Sequence, residues 1–139
     1  TPEREKMNAV FADSFYFFAL LNPRDSAHPR ASAFARTFKG LTISTAWIFT
    51  ELGDGLSAPR DRATFGQLLD RFSADPRCRL VLPTPELFQA GTDLFRSRPD
   101  KAWSLTDCTS FVVMQAHGIT EALTADRHFE QAGFAILLK

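Results

Sequence analysis

A chain of 139 residues that is 45% hydrophobic and carries 14 Phe can bury one substantial core without disulfide or metal staples. Its 16 Lys and Arg balance 16 Asp and Glu, so the formal net charge is zero; that argues against a strongly basic nucleic-acid-binding surface but leaves room for a locally basic groove. Cys78 and Cys108 lie far apart in apolar company, which predicts buried free thiols rather than a disulfide or a zinc site.

In chain order, short apolar runs alternate with segments of helical spacing. NAVFA, residues 8–12, reads as a buried strand ending at Asp13. SFYFFALLN is a very apolar helix stopped by Asn22-Pro23. HPRASAFARTFKG holds a second helix, with Pro29 early and Gly40 just past its end. LTIS is a strand, and TAWIFTELGDGLS a helix. RATFGQLLDRF is another helix, with Phe65, Leu68, Leu69 and Phe72 at i, i+3, i+4 and i+7. CRLVL is a strand stopped by Pro83. PELFQAGTDLFRS repeats the helical period at Leu87, Ala90, Gly91, Leu94 and Phe95.

SLTDCTSFVVMQAHG opens with Ser104 and, three residues on, Asp107, the pattern of a reciprocal helix cap. It carries no charge between Asp107 and His117 and closes at Gly118, so this helix is expected to be buried on most sides. ITEALT, the short helix DRHFEQAG and FAILL complete the alternation. The pattern predicts one α/β domain over residues 1–139, a three-layer α/β/α sandwich around a parallel sheet of about five strands. The opening TPEREKMN is polar, and no apolar run approaches the roughly 18 residues of a membrane span, so a reducing, cytoplasmic setting is expected.

Ligands of such sheets bind beyond the carboxyl ends of the strands. Asp13 directly follows the first strand and Asp126 the fourth, while Asp107 lies in the first turn of the helix leading into the fourth. Glu51 shares an inward stripe with Ile48, Leu52 and Gly55, where a lone carboxylate would be costly. Asp54 falls off that stripe and reads as solvated. Each acid has a plain structural alternative: a turn former, a helix cap, or the partner of a buried Arg. Four of them converging on one sheet edge would repel unless a cation sits among them, and oxygen donors without His or Cys suit Mg²⁺ or Mn²⁺.

The ordered motifs FADSFYFFALLNPRD, TELGDGLS, WSLTDCTSFVVM and TADRHFEQAGF closely resemble the PIN-domain nucleases, especially the bacterial VapC-like branch, from about Val10 to Leu137. The resemblance implies a PIN-like, Rossmann-like sheet and a metal-dependent endoribonuclease. It implies that Asp13, Glu51, Asp107 and Asp126 bind one or two Mg²⁺ or Mn²⁺ ions and are the catalytic acids. Thr124 matches the small hydroxyl residue that orients the site. A VapC-like role further implies an RNA substrate, a cognate antitoxin and a homodimer. A non-catalytic RNA-binding PIN module, or a housekeeping RNA-processing nuclease without an antitoxin, is the alternative.

Arg96, Arg98, Lys101 and Arg127 are candidates for holding RNA phosphates, against the alternative of solvated charges. Asp100 reads as ordering the loop before the Ser104 helix. His28, His117 and His128 share no ligand spacing and read as surface or satisfied residues. Trp47 and Trp103 read as core. An aspartyl phosphotransferase would need a second Asp two residues after Asp13, where Phe15 stands. A receiver domain would need a Lys at a later strand end, and none is present.

Overall fold

Parallel strands covered on both faces need apolar residues almost throughout. In the computed structural model, which describes residues 8–139, five such strands form one sheet: β1 (Ala9–Ala12), β2 (Leu41–Thr45), β3 (Cys78–Val81), β4 (Glu121–Leu123) and β5 (Ala135–Ile136). Their order is β3-β2-β1-β4-β5 and every pairing is parallel. The helices are α1 (Ser14–Leu21), α2 (His28–Thr37), α3 (Ala46–Gly55), α4 (Arg62–Ala74), α5 (Pro85–Ser97), α6 (Leu105–Ala116) and α7 (Arg127–Gln131). Every element expected from the sequence is present, in the expected order. The reading of residues 1–7 as a polar opening lies outside the described residues.

The topology divides the helices into two layers. Crossovers between parallel strands are right-handed. The chain steps from β1 to β2 to β3 in one direction, which puts α1–α4 on one face. It then returns to β4 and steps outward to β5, which puts α5–α7 on the other. Aromatic packing follows this division. Phe17 of α1 meets Phe49 of α3 at 5.1 Å and Phe72 of α4 at 5.7 Å between ring centroids. On the opposite face, Phe111 of α6 meets Phe129 of α7 edge-on at 5.0 Å and Trp103 at 5.1 Å. Phe11, Phe111 and Phe129 are fully buried, each stabilising the fold by about 1.5–3 kcal/mol.

β1 and β4 are neighbours, with Phe11 opposite Ala122 and Ala12 opposite Leu123. The chain leaves them in opposite directions, so the crevice of the sheet opens at their carboxyl ends.

α6 begins and ends by well-defined local chemistry. Ser104 Oγ accepts the Asp107 N–H at 2.9 Å, and Asp107 Oδ2 accepts the Ser104 N–H at 3.0 Å, which completes the capping box. At the other end Gly118 takes φ +66°, and the Ile119 N–H reaches Met114 O at 2.9 Å while the Gly118 N–H reaches Gln115 O at 3.2 Å. That pair of bonds is a Schellman stop, which needs the left-handed residue glycine supplies. Cys108, Phe111, Val113 and Met114 are wholly buried between these ends.

A second glycine sets where α6 lies. A methyl group on Gly91 of α5 would stand 2.7 Å from Thr109 Cγ2, and Thr109 is 1% exposed with a stiff β-branched side chain. α5 therefore packs directly on the N-terminal half of α6, the half that carries Asp107.

Both cysteines are free, as expected, but only Cys108 is buried. Cys78 is partly exposed because it opens β3, the edge strand of the sheet among the described residues. No described helix is long and apolar enough to cross a membrane.

Candidate active site at the carboxyl edge

Asp13 is the residue on which β1 hands over to α1. It occupies the N-cap position with φ −83° and ψ 163°, yet its side chain makes no cap hydrogen bond. Its Oδ2 instead accepts the Thr124 hydroxyl at 2.8 Å, across the gap between the ends of β1 and β4. Thr124 is fully buried, and its Oγ1 also accepts the Asp126 N–H at 3.1 Å. One hydroxyl thus donates to the first acid and accepts from the backbone of the fourth.

Asp13 is only 8% exposed. Burial pushes its carboxyl up to about 7, partly offset by the Thr124 hydroxyl and the Ser14 N–H; the charges of Glu51 and Asp107 add a further upward push. Glu51, half-buried on α3, is also raised, first by burial and then by the charges of Asp107 and Asp54, with the Ser14 side chain acting against the shift. Asp54 itself is exposed, as expected. α3 contacts α6, which places Glu51 within reach of Asp107. Asp13, Glu51 and Asp107 thus feel one another's charge.

Asp126 caps α7, its Oδ1 accepting the His128 N–H at 2.9 Å. The His128 ring then turns back into the site. Its Nδ1 lies 2.9 Å from Asp107 Oδ2 and 3.5 Å from Asp126 Oδ1. Ligand atoms of Asp107, Asp126 and His128 all fall within 4.8 Å of one another. Among the described residues, no Lys or Arg forms an ion pair with Asp13, Glu51, Asp107 or Asp126.

His128, expected as a surface or satisfied residue, is partly exposed and hydrogen-bonded. Its bonding partner is one of the acids, so a ring nitrogen stands beside the carboxylates of Asp107 and Asp126. The usable signal was position: His128 lies two residues after Asp126, in the first turn of the helix that opens at the carboxyl end of β4. Ser14, beside Asp13 in sequence, was likewise passed over. His28 is satisfied, with Nδ1 2.7 Å from Ala19 O and Nε2 3.2 Å from Ser32 Oγ.

The candidate cations differ in freedom. Arg98 forms a two-bond fork with Asp100, both contacts at 3.0 Å, and stands over the Trp103 ring at 5.2 Å. Asp100 therefore orders this loop, as expected. Arg96 and Arg127 are exposed and Lys101 is partly buried. Trp103 is core, 6% exposed, with Nε1 donating to Gln131 at 3.0 Å; Trp47 is only partly buried. A separate apolar cavity of about 360 Å³, lined by Tyr16, Phe34, Phe38 and Cys78 among others, contains none of the four acids.

Ser104 supports the site only through the cap of α6. Ser104→Ala is expected to lower stability by about 0.5–2 kcal/mol. Any RNA cleavage should be largely retained below the melting range, because Asp107 keeps its carboxylate. Denaturant melts and cleavage time courses on the variant check both halves.

A PIN domain family model matches residues 10–135. VapC20 of Mycobacterium tuberculosis, a sarcin-ricin loop cleaving toxin, shares the fold with a TM-score of 0.81 at 21% identity, over 91% of this chain and 96% of its own. FitAcB of Neisseria gonorrhoeae does so with a TM-score of 0.65 at 16% identity, over 92% of this chain and 96% of its own. No curated protein sequence matches the chain.

Proposed function

Because the chain belongs to the PIN-domain family and carries Asp13, Glu51 and Asp107 within range of one another's charge, with Asp126 beside them at the same sheet edge, we propose that it is a divalent-metal-dependent endoribonuclease of the VapC-like branch. The observation that carries this reading is Asp13. A carboxylate that is 8% exposed, does not cap its helix and has no Lys or Arg partner among the described residues is out of place in a purely structural role.

Asp13, Glu51, Asp107 and Asp126 would hold Mg²⁺ or Mn²⁺, for which carboxylate oxygens are the preferred donors. When bound, such an ion offsets phosphate charge and makes a water molecule more acidic. The rest falls to the chain itself. Thr124 fixes the Asp13 carboxylate by its hydroxyl, and the capping box fixes Asp107 on a helix held at both ends. Asp126 is held by the first turn of α7. These locked rotamers present the oxygens without reorganisation. Arg96, Lys101 and Arg127 are the residues proposed to meet RNA phosphates, with Arg98 holding the loop in shape.

The VapC-like reading brings a cognate antitoxin, a cytoplasmic setting and a homodimer with it. Phe88 and Phe95, seven residues apart on α5 and 48% and 49% exposed, offer an apolar face that supports self-association.

The test is the purified protein with a mixed RNA pool in Mg²⁺, Mn²⁺ or EDTA. Cleavage is expected only with an ion, together with a rise in Tm as the ion binds the folded state. A melting curve indifferent to millimolar Mg²⁺ and Mn²⁺, with intact RNA, would sink the proposal. RNA binding without cleavage would identify a non-catalytic PIN module.

A further inference from the structure

His128 stands where a nitrogen donor could join two of the acids. Its ring nitrogen Nδ1 is 2.9 Å from Asp107 Oδ2 and 3.5 Å from Asp126 Oδ1, and the backbone N–H of His128 is bound to Asp126 Oδ1, which fixes the base of the side chain. Neighbouring ligands of an octahedral ion at 2.0–2.1 Å stand about 2.9 Å apart. The His128–Asp107 pair already stands at that spacing, and Asp126 lies somewhat farther at 3.5 Å. All three donor atoms fall within 4.8 Å of one another, so a small closure would bring them round one ion. The side chains of Asp107 and His128 are 14% and 31% exposed, so the position is partly sheltered yet open to an ion from solvent.

Resting on the metal-site reading above, we propose that His128 Nδ1 is itself a ligand of the divalent ion, beside Asp107 and Asp126, and that this nitrogen makes the site favour Mn²⁺ over Mg²⁺. Mg²⁺ is bound through oxygen and gives up its waters reluctantly, whereas imidazole is a donor for first-row transition ions. Without an ion, Nδ1 donates its hydrogen to Asp107. Ligation through Nδ1 requires the neutral tautomer whose single hydrogen sits on Nε2, so the hydrogen bond to Asp107 gives way to the ion.

Pulsed electron paramagnetic resonance of the protein loaded with one equivalent of Mn²⁺ tests this directly, alongside Mn²⁺ and Mg²⁺ titrations of parent and His128→Asn. Asn retains an amide donor for Asp107, so it separates ligation from mere positioning. The parent is expected to show imidazole ¹⁴N coupling to Mn²⁺. In His128→Asn that coupling should vanish, and Mn²⁺ affinity should fall by about tenfold or more while Mg²⁺ affinity barely changes. Should the variant fail to fold, the spectrum of the parent still decides. Saturable Mn²⁺ binding without nitrogen coupling overturns the His128 assignment and leaves the four-carboxylate site standing. Absence of saturable Mn²⁺ binding in the parent overturns both.

Discussion

Asp107→Asn is expected to fold almost normally and to lose ion-dependent RNA cleavage by well over the roughly 10–100-fold that removal of an outer-sphere partner costs. The two halves follow from different atoms of one side chain. The amide oxygen of Asn can still accept the Ser104 N–H, so the cap of α6 survives at a cost of about 1 kcal/mol or less. Loss of a negative charge near Asp13 and Glu51 offsets part of that cost. What Asn cannot replace is the anionic oxygen that a divalent ion requires. Paired melting curves and cleavage time courses check the prediction, and a variant that cleaves like the parent would reduce Asp107 to a helix cap.

The metal-free protein should become less stable as pH rises, and Asp13→Asn should remove most of that trend. Asp13 is raised from an ordinary 3.8 to about 7 in the folded state, so the folded protein holds this proton more tightly than the unfolded chain does. The stability this adds is fully present below about pH 4, declines as pH climbs towards 7, and is gone above it. At 1.36 kcal/mol per unit the whole effect is at most about 4 kcal/mol. Asn is neutral at every pH and can still accept the Thr124 hydroxyl, so it avoids burying a charge. In EDTA, the stability difference between variant and parent should widen from pH 4 to 7 in favour of the variant and then level off. Urea melts across that range decide it; parallel curves would show that Asp13 ionises as an ordinary surface acid.

The order and type of the elements could be read from the chain because the signals are local. Apolar runs of strand length, Phe and Leu at helical spacing, the Ser104–Asp107 cap and Gly118 each act within a few residues. Local chemistry was enough to predict that α6 begins at a capping box and ends at a left-handed glycine, and the structure has both. The alternation of strands and helices then left a parallel sheet as the one economical way to cover them, and with it the edge where Asp13 and Asp126 emerge. Glu51 was legible too, since a carboxylate on an apolar stripe has few inexpensive reasons to be there.

What only the tertiary structure decided is how those groups meet. Asp13 and Thr124 are 111 residues apart in sequence, and their hydrogen bond exists because β1 and β4 are neighbours in the sheet. Nothing in either segment alone carries that pairing. Arg98 looked as free as Arg96 and Lys101 until Asp100 and Trp103 were seen to hold it. His128 is the clearest case. Ligand spacing along the chain places it with nothing, because its partner Asp107 lies 21 residues away on a different helix. The packing of α6 and α7 through Phe111 and Phe129 brings the two together. Sequence determines which groups stand at the sheet edge, since that follows from local order. Which of them touch depends on side-chain contacts across strands and helices, and those distances arise only when the core closes.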